Sequence, residues 1–182
     1  MITDLHKHKI EWDLLGYGQD IIENYKGLTI KIENSNGDIN LVLYLDGFEI
    51  MSTRKYEHNM AVKCVNDCPE NARVFIGGLG LGLVPLYLAE SNKTKEVLIV
   101  ERDNRVLDII APKIEKYLAG HYPQFNYKII EGDAYDEILT NGLFDWIFID
   151  ISDGTPSEFF DLSNYALTKN GVFTPVERIN DV

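Results

Sequence analysis

The sequence contains little cysteine, and this shortage excludes a structural zinc site built on thiolates. Only Cys64 and Cys68 occur among its 182 residues. A structural zinc ion takes four protein ligands, and the chain has no further cysteine to complete such a set. Both cysteines precede Pro69, on what the sequence predicts as the last turns of a helix. We therefore expect two buried, reduced thiols and no metal site.

Basic residues are scarce as well. The chain has 17 Lys and Arg residues against 29 Asp and Glu residues, which gives a net charge of −12. Binding to a phosphate backbone needs clusters of basic side chains, so the composition excludes nucleic acid as the expected partner. A cationic small molecule suits this charge better, although many acidic proteins are acidic for solubility alone.

Long apolar runs are also missing. The longest is far shorter than the roughly 20 residues that span a membrane. The amino terminus, MITDLHKHKIEWD, has charges where a signal peptide has an apolar block. We therefore expect no membrane association and a cytoplasmic protein.

The first part of the chain has the pattern of a small antiparallel meander. Three strand-like runs, LTIKIE, INLVLYL and FEIMST, are separated by the turn signals NSNGD and DG. Tyr56, Met60 and Val65 then follow at roughly helical spacing, up to Pro69. We place the meander in an amino-terminal segment, residues 1–54, and a second domain over residues 55–182.

From Ala72 the sequence alternates strands, glycine turns and helices. The predicted strands are RVFIGG, EVLIVER, YKIIEG, FDWIFIDI and GVFTPVE. The predicted helices between them are LVPLYLAES, RVLDIIAPKIEKYLAG, AYDEILTN and SEFFDLSNYALTKN. Apolar strands that alternate with helices indicate a parallel sheet covered on both faces. The predicted fold class is α/β, a doubly wound, mainly parallel Rossmann-like sheet with its ligand site at the carboxyl ends of the strands.

Small and acidic residues gather at the carboxyl ends of four predicted strands. In strand order they are Gly77, Gly78, Gly80 and Gly82; then Glu101; then Asp133 and Ala134; then Asp150 and Asp153. Glycines let a ligand approach the backbone closely, and an acid after the second strand can accept both hydroxyls of a ribose. Each feature alone also suits ordinary packing or helix capping, above all Asp133. Four such loops at one sheet edge favour a nucleoside site.

The spacing of the glycines indicates which nucleoside to expect. The dinucleotide fingerprint GxGxxG would need a third glycine at Leu83, and no second mononucleotide half follows the fifth strand. The spacing GxGxG, with an acid closing the second strand and GDA closing the third, resembles the class I S-adenosylmethionine-dependent transferases. This resemblance covers about residues 72–177. It implies a class I methyltransferase-like sheet in which the glycines, Glu101, Asp133 and Ala134 bind an S-adenosyl nucleoside.

A narrower resemblance includes the amino-terminal part. The stretch LVLYLDGFEIMSTRKYEHNMAV, with its Leu-Asp-Gly turn, resembles the entry to the catalytic domain of spermidine synthases, and IDISDG keeps that family's two aspartates three positions apart. The resemblance implies aminopropyl transfer from decarboxylated S-adenosylmethionine to a polyamine. Asp150 would orient the attacking amine or accept its proton, and Asp153 would anchor the cationic chain. Tyr56 and His58 would line the amine pocket.

Two other functions stay open. Spermidine synthases carry an aspartate where this chain has Gly80, and a glycine there leaves room for the carboxylate of S-adenosylmethionine itself. A small-molecule methyltransferase is therefore the first alternative, although the motifs of metal-dependent O-methyltransferases and of many amino-group methyltransferases are missing. A relative that binds the nucleoside without catalysis is the second.

The fifth predicted strand has consequences for assembly. Class I transferases usually continue past it with a helix and a hairpin, whereas this sequence stops at RINDV. We expect GVFTPVE to form an edge strand, with Pro175 and Glu177 protecting it from uncontrolled pairing. We also expect a homodimer or a larger homo-oligomer.

Overall fold

The fold is seen in a computed structural model that describes residues 21–35, 38–151 and 157–175. Asp153 and Glu177 lie outside the described residues, so the expectations attached to them stay predictions. All the other candidate site residues lie within the described ranges.

The described chain forms two compact units. The first unit comprises the described residues through Asn66 together with Gly80–Ser91 and Arg105–Gln124. The second unit comprises Asp67–Leu79, Asn92–Asn104 and the described residues from Phe125 onward. The predicted domain division after residue 54 stays a prediction.

The first unit contains a four-stranded antiparallel sheet with its strands in chain order. The strands are β1 (Ile21–Tyr25), β2 (Leu28–Ser35), β3 (Asp38–Leu45) and β4 (Phe48–Ser52). The last three confirm the predicted meander. The sequence does not predict β1, because IIENY lacks a regular alternation of apolar and polar residues. The pairing of β1 with β2 is also irregular between Ile21 and Glu23.

Two tight turns close the β1–β2 and β3–β4 hairpins of this sheet. Lys26 and Gly27 have φ angles of 47° and 87°, and Asp46 and Gly47 have φ angles of 51° and 86°. Positive φ at both central residues is the type I′ geometry that matches the twist of the strands. Nη1 of Arg105 donates to the carbonyl oxygen of Lys26 at 3.2 Å and to Oδ1 of Asp46 at 2.9 Å. One guanidinium therefore ties both turns together.

Six helices lie within the described residues. They are α1 (Lys55–Asp67), α2 (Leu83–Ser91), α3 (Asn104–Ile109), α4 (Ala111–His121), α5 (Ala134–Thr140) and α6 (Ser157–Ala166). The single helix predicted over residues 105–120 is wrong, because the chain breaks it at Ile110. Pro112 lies in the first turn of α4, where its missing N–H costs nothing but where it cannot continue the hydrogen bonds of α3. Among the described residues, no helix is both long and apolar enough to cross a membrane.

The two cysteines are buried and form no disulfide within the described residues, as predicted for reduced thiols. Cys64 lies within α1, but Cys68 follows the end of the helix by one residue instead of belonging to its last turn. Burial raises the pKa of the Cys68 thiol to about 12. This side chain therefore stays protonated at neutral pH, as a structural thiol does.

The second unit contains the predicted parallel sheet. Its strands are β5 (Ala72–Gly77), β6 (Thr94–Glu101), β7 (Tyr127–Glu131), β8 (Phe144–Ile149) and β9 (Leu167–Pro175). They lie in the order β7-β6-β5-β8-β9, and every pairing is parallel. The chain direction across the sheet reverses at β5, which is where open α/β sheets bind ligands, outside the carboxyl ends of the strands. The predicted fold class is confirmed.

Apolar side chains of β5, β6 and β8 form the core of this unit with helices α5 and α6. Phe75, Val100 and Ile147 pack there with Ile138 of α5 and Phe159 of α6. All five are at most 1% exposed. Burial of such side chains stabilises the fold by roughly 1.5–3 kcal/mol each, and this cluster holds together the strands whose carboxyl ends form the sheet edge.

The edge strand β9 begins earlier than the sequence predicts. The predicted helix over residues 157–170 ends at Ala166, and Leu167–Asn170 belong to the strand instead. The register with β8 shifts here, from Phe144 opposite Leu167 to Trp146 opposite Val172. Pairing with β8 therefore overrides the helical pattern of LTKN. The strand lies at the edge of the sheet, as predicted, and ends at Pro175.

Candidate functional site

Backbone hydrogen bonds bring four strand ends together at one edge of the parallel sheet. The N–H of Asp150 donates to the carbonyl oxygen of Gly77 at 2.9 Å, and the N–H of Gly78 donates to that of Val100 at 2.8 Å. The N–H of Gly132 donates to the carbonyl oxygen of Glu101 at 3.1 Å. The ladder thus continues beyond the strands, and the loops after β5, β6, β7 and β8 lie side by side.

The first two glycines of the turn are packed against the protein's own atoms. A Cβ on Gly77 would lie 2.8 Å from Cδ1 of Ile149 and 3.1 Å from Cβ of Ala134. Gly78 has a φ of 97°, and a Cβ there would lie 2.2 Å from the carbonyl oxygen of Asp150. Close packing of β5 against β8 therefore requires glycine at position 78, whereas a Cβ at position 77 would fit only if the ends of the Ile149 and Ala134 side chains shifted slightly.

The later glycines of the turn, Gly80 and Gly82, belong to the first unit. A Cβ on Gly80 would lie 2.4 Å from Sδ of Met51, and one on Gly82 would lie 2.3 Å from Cδ1 of Ile114. The N–H of Leu81 also donates to Sδ of Met51 at 3.2 Å. Sequence reasoning missed Met51, and no local pattern could have found it, because it lies 30 positions before Leu81.

Glu101 ends β6 with its carboxylate bonded to two backbone amides. Oε2 accepts the N–H of Leu79 at 2.8 Å, and Oε1 accepts the N–H of Asp103 at 2.7 Å. A carboxylate has about four lone-pair positions, and these two bonds use one on each oxygen. The half-buried side chain therefore keeps acceptor capacity for two hydroxyl groups.

Asp133 caps helix α5, which is the ordinary structural role that the sequence leaves open for it. Its Oδ1 accepts the N–H of Tyr135 at 2.8 Å, and its Oδ2 lies 4.0 Å from Nη1 of Arg102. Ala134, the first residue of the helix, is buried next to Gly77. Burial raises the pKa of Tyr135, and the charges of Glu158 and Asp133 raise it further. The phenol beside the cap is therefore neutral at physiological pH.

Asp150 is the first residue after β8 and is half-buried. Its backbone carries two close contacts, a hydrogen bond to Gly77 and the approach of its carbonyl oxygen to Gly78. Asp153 lies in the stretch 152–156, outside the described residues. The structure therefore places the first of the two predicted catalytic aspartates at the sheet edge and leaves the second as a prediction.

Tyr56 and His58 lie on helix α1 of the first unit, and their side chains are not brought together. Tyr56 is 56% exposed, whereas His58 is 3% exposed. Residues two apart on a helix point in different directions, which explains the contrast. Nδ1 of His58 lies 2.6 Å from the hydroxyl oxygen of the buried Tyr87. Tyr87 is a partner that the sequence analysis did not single out.

Among the described residues, no group of three or more His, Cys, Asp or Glu side chains is placed to hold a metal ion. Glu101 and Asp133 at the sheet edge accept hydrogen bonds from backbone amides.

The strand order and the loops at the sheet edge define the class of fold. It is the Rossmann-like fold of S-adenosylmethionine-dependent methyltransferases, and solved structures that match this chain share it. One of them is the spermidine synthase of Thermotoga maritima, with a TM-score of 0.61 and 22% sequence identity over 85% of this chain. The chain spans 56% of the length of that protein.

Two further structures match in the same way. A spermidine synthase in complex with the transition-state analogue AdoDATO has a TM-score of 0.61 and 20% identity, covering 85% of this chain and 55% of its own. The precorrin-6y C5,15-methyltransferase of Geobacter metallireducens GS-15 has a TM-score of 0.54 and 20% identity, covering 68% and 63%. No protein-family model and no curated protein matches the sequence. At these identities the likeness shows the fold alone.

Proposed function

We propose that the chain binds an S-adenosyl sulfonium at the carboxyl edge of its parallel sheet and transfers an aminopropyl group to a polyamine. The observation that carries this proposal is the carboxylate of Glu101, which stands at the end of β6 bonded to the turn that follows β5. The position after β6 suits a ribose, because ligands of doubly wound sheets lie outside the strand ends. The resemblance of the sequence to spermidine synthases supports the choice of group.

The acids of the second unit fit such a ligand. Glu101 keeps about two acceptor positions for the two ribose hydroxyls. Asp133 and Asp150 add negative charge at the same sheet edge, which suits a sulfonium cation. In this proposal Glu101 holds the ribose, and Gly77, Gly78, Asp133 and Ala134 border the nucleoside. The predicted contributions of Gly80, Gly82, Tyr56 and His58 stay predictions.

The proposed reaction is a displacement at the carbon beside the sulfonium sulfur. The lone pair of an amine nitrogen forms a carbon–nitrogen bond while the carbon–sulfur bond breaks. The electron pair of the broken bond stays on sulfur, which becomes a neutral thioether. The ammonium formed must then lose one proton. Asp150, which follows β8 directly, would orient the amine or accept that proton. Asp153 would anchor the rest of the polyamine.

Methyl transfer to a small molecule is the second candidate. Gly80 supports it only by carrying no acidic side chain that would disfavour a ligand with a carboxylate. The room expected beside this glycine is occupied by the Met51 side chain, so that part of the expectation is wrong. The two candidates share the nucleoside and differ in the tail of the donor. A nucleoside-binding relative without catalysis would share the same site.

The test compares three ligands on one protein sample by calorimetry. They are S-adenosylmethionine, its decarboxylated form and 5′-methylthioadenosine, which lacks the tail. We expect the decarboxylated form to bind tightest, because it carries the group to be transferred and no carboxylate. Tighter binding of S-adenosylmethionine would overturn aminopropyl transfer and favour methyl transfer. Failure of all three to bind would contradict both candidates.

The remaining expectations concern surroundings and partners. We propose a cytoplasmic protein that assembles as a homo-oligomer, acts on a small molecule, possesses no metal site and binds neither nucleic acid nor membranes. The edge position of β9 supports the assembly, because an edge strand offers unpaired backbone groups.

A further inference from the structure

We propose that Glu101 is also a positioning residue, which holds the glycine turn after β5 in the conformation that receives the nucleoside. Its two carboxylate oxygens accept the N–H groups of Leu79 and Asp103, at 2.8 and 2.7 Å. The part of this inference that concerns affinity rests on the function proposed above. The part that concerns the turn itself does not.

The turn depends on this side chain because Leu79 is buried. Leu79 is 4% exposed, so its N–H must find an acceptor within the protein. The preceding amide, that of Gly78, donates to the backbone carbonyl of Val100. Two successive amides of the turn thus donate hydrogen bonds to β6. The N–H of Gly78 donates to its backbone, and the N–H of Leu79 donates to the Glu101 side chain. The hydrogen bond from Leu79 can be removed by substituting Glu101, which leaves every residue of the turn itself unchanged.

The same carboxylate also holds the segment that leaves β6. By accepting from Asp103 it joins the loops that follow two neighbouring strands, β5 and β6. Hydrogen bonds to an ionised acceptor are stronger than those between neutral groups. A glutamine has only one acceptor oxygen, so its amide group would place a donor against one of the two N–H groups. Glu101→Gln is therefore a nearly isosteric change that must release one of the two loops.

A binding cycle separates the two roles of Glu101. Wild type and Glu101→Gln are each titrated with 5′-methylthioadenosine and with its 2′,3′-dideoxy analogue, which has no ribose hydroxyls to bind. If Glu101 only holds the ribose, the substitution leaves the affinity for the dideoxy analogue unchanged. If Glu101 positions the turn, the affinity for the dideoxy analogue also falls, on the order of tenfold for one lost buried hydrogen bond.

Amide hydrogen exchange of the ligand-free protein tests the turn directly. We expect the amides of Leu79 or Asp103 to exchange faster in Glu101→Gln, with exchange at Ile99 in the middle of β6 unchanged. Glu131→Gln is the matched control. Glu131 ends β7 and is the register partner of Glu101 in the neighbouring strand, so this substitution removes the same charge from the same sheet edge. It should change neither exchange rates nor affinity for either nucleoside.

The outcomes distinguish this inference from the proposed function. Unchanged affinity for the dideoxy analogue, or unchanged exchange at both amides, overturns the positioning role. If neither nucleoside binds wild type, the proposed function fails, and the exchange rates alone decide whether Glu101 holds the turn. Should Glu101→Gln fail to fold, Glu101→Asp replaces it, because a carboxylate one methylene shorter cannot reach both amides.

Discussion

Gly78 and Gly47 have similar backbone geometry but different surroundings. Their φ angles are 97° and 86°, both in the left-handed region that residues other than glycine rarely adopt. A Cβ on Gly78 would lie 2.2 Å from a backbone carbonyl oxygen, whereas a Cβ on Gly47 would have nothing within 4 Å. Conformation alone requires glycine at 47, and conformation together with close packing requires it at 78.

Alanine substitutions separate these two causes. Gly47→Ala should destabilise the fold by about 1–2 kcal/mol, the cost of a left-handed backbone for an L-residue. Gly78→Ala should cost about 2–5 kcal/mol, because overpacking adds to that strain and a backbone carbonyl cannot rotate away. The free energy of unfolding from urea titrations measures both. Equal losses in the two variants would contradict the packing account.

The glycine turn shows what single residues reveal and what they hide. The sequence predicts that something approaches the backbone there, and the structure shows close approach at Gly78, Gly80 and Gly82. The approaching atoms belong to the protein itself, including Sδ of Met51. Such partners are distant in sequence, so spacing alone cannot separate a glycine kept for internal packing from one kept for a ligand.

Helix α5 illustrates the same ambiguity at the level of an element. Asp133 precedes it and accepts the N–H of Tyr135, which satisfies one of the free amides of the first turn. Asp136 and Glu137 add negative charge to that turn, where the helix dipole favours it. A capping role for Asp133 is therefore established by contact, and its role towards a nucleoside stays a prediction.

Two substitutions of Asp133 test the cap. Asp133→Ala should lower the free energy of unfolding by about 1 kcal/mol, whereas Asp133→Ser should retain most of it, because a serine hydroxyl also caps a helix. Thermal or urea unfolding provides the comparison. If serine costs as much as alanine, the stabilisation comes from the charge and not from the hydrogen bond to Tyr135.

Elements with a strong local signal were predictable, and those set by distant pairing were not. The strands β5 to β8 follow from short segments rich in apolar residues with a glycine or an acid at or directly after their ends, and α2 matches its prediction in full. The early start of β9 depends on its register with β8, which no local pattern encodes. The break between α3 and α4 had a visible cause in Pro112, because proline favours the first turn of a new helix.

At the level of the whole molecule, topology was predictable and activity is not. Alternating strands and helices predict the parallel sheet, and the order β7-β6-β5-β8-β9 confirms it. The same fold serves spermidine synthase and precorrin methyltransferase structures, each at no more than 22% identity to this chain. A fold that hosts several chemistries does not choose among them. The acids at the sheet edge suit either donor, so the choice between aminopropyl and methyl transfer rests on the comparison of the three ligands.

An NMR titration of isotope-labelled protein with 5′-methylthioadenosine tests directly whether the sheet edge binds a nucleoside. We expect saturable amide shifts that are largest at the ends of β5, β6 and β8 and at the start of α5, at Gly77, Gly78, Glu101, Asp133 and Asp150. The absence of saturable shifts, or shifts confined to the antiparallel sheet β1 to β4, would contradict this expectation.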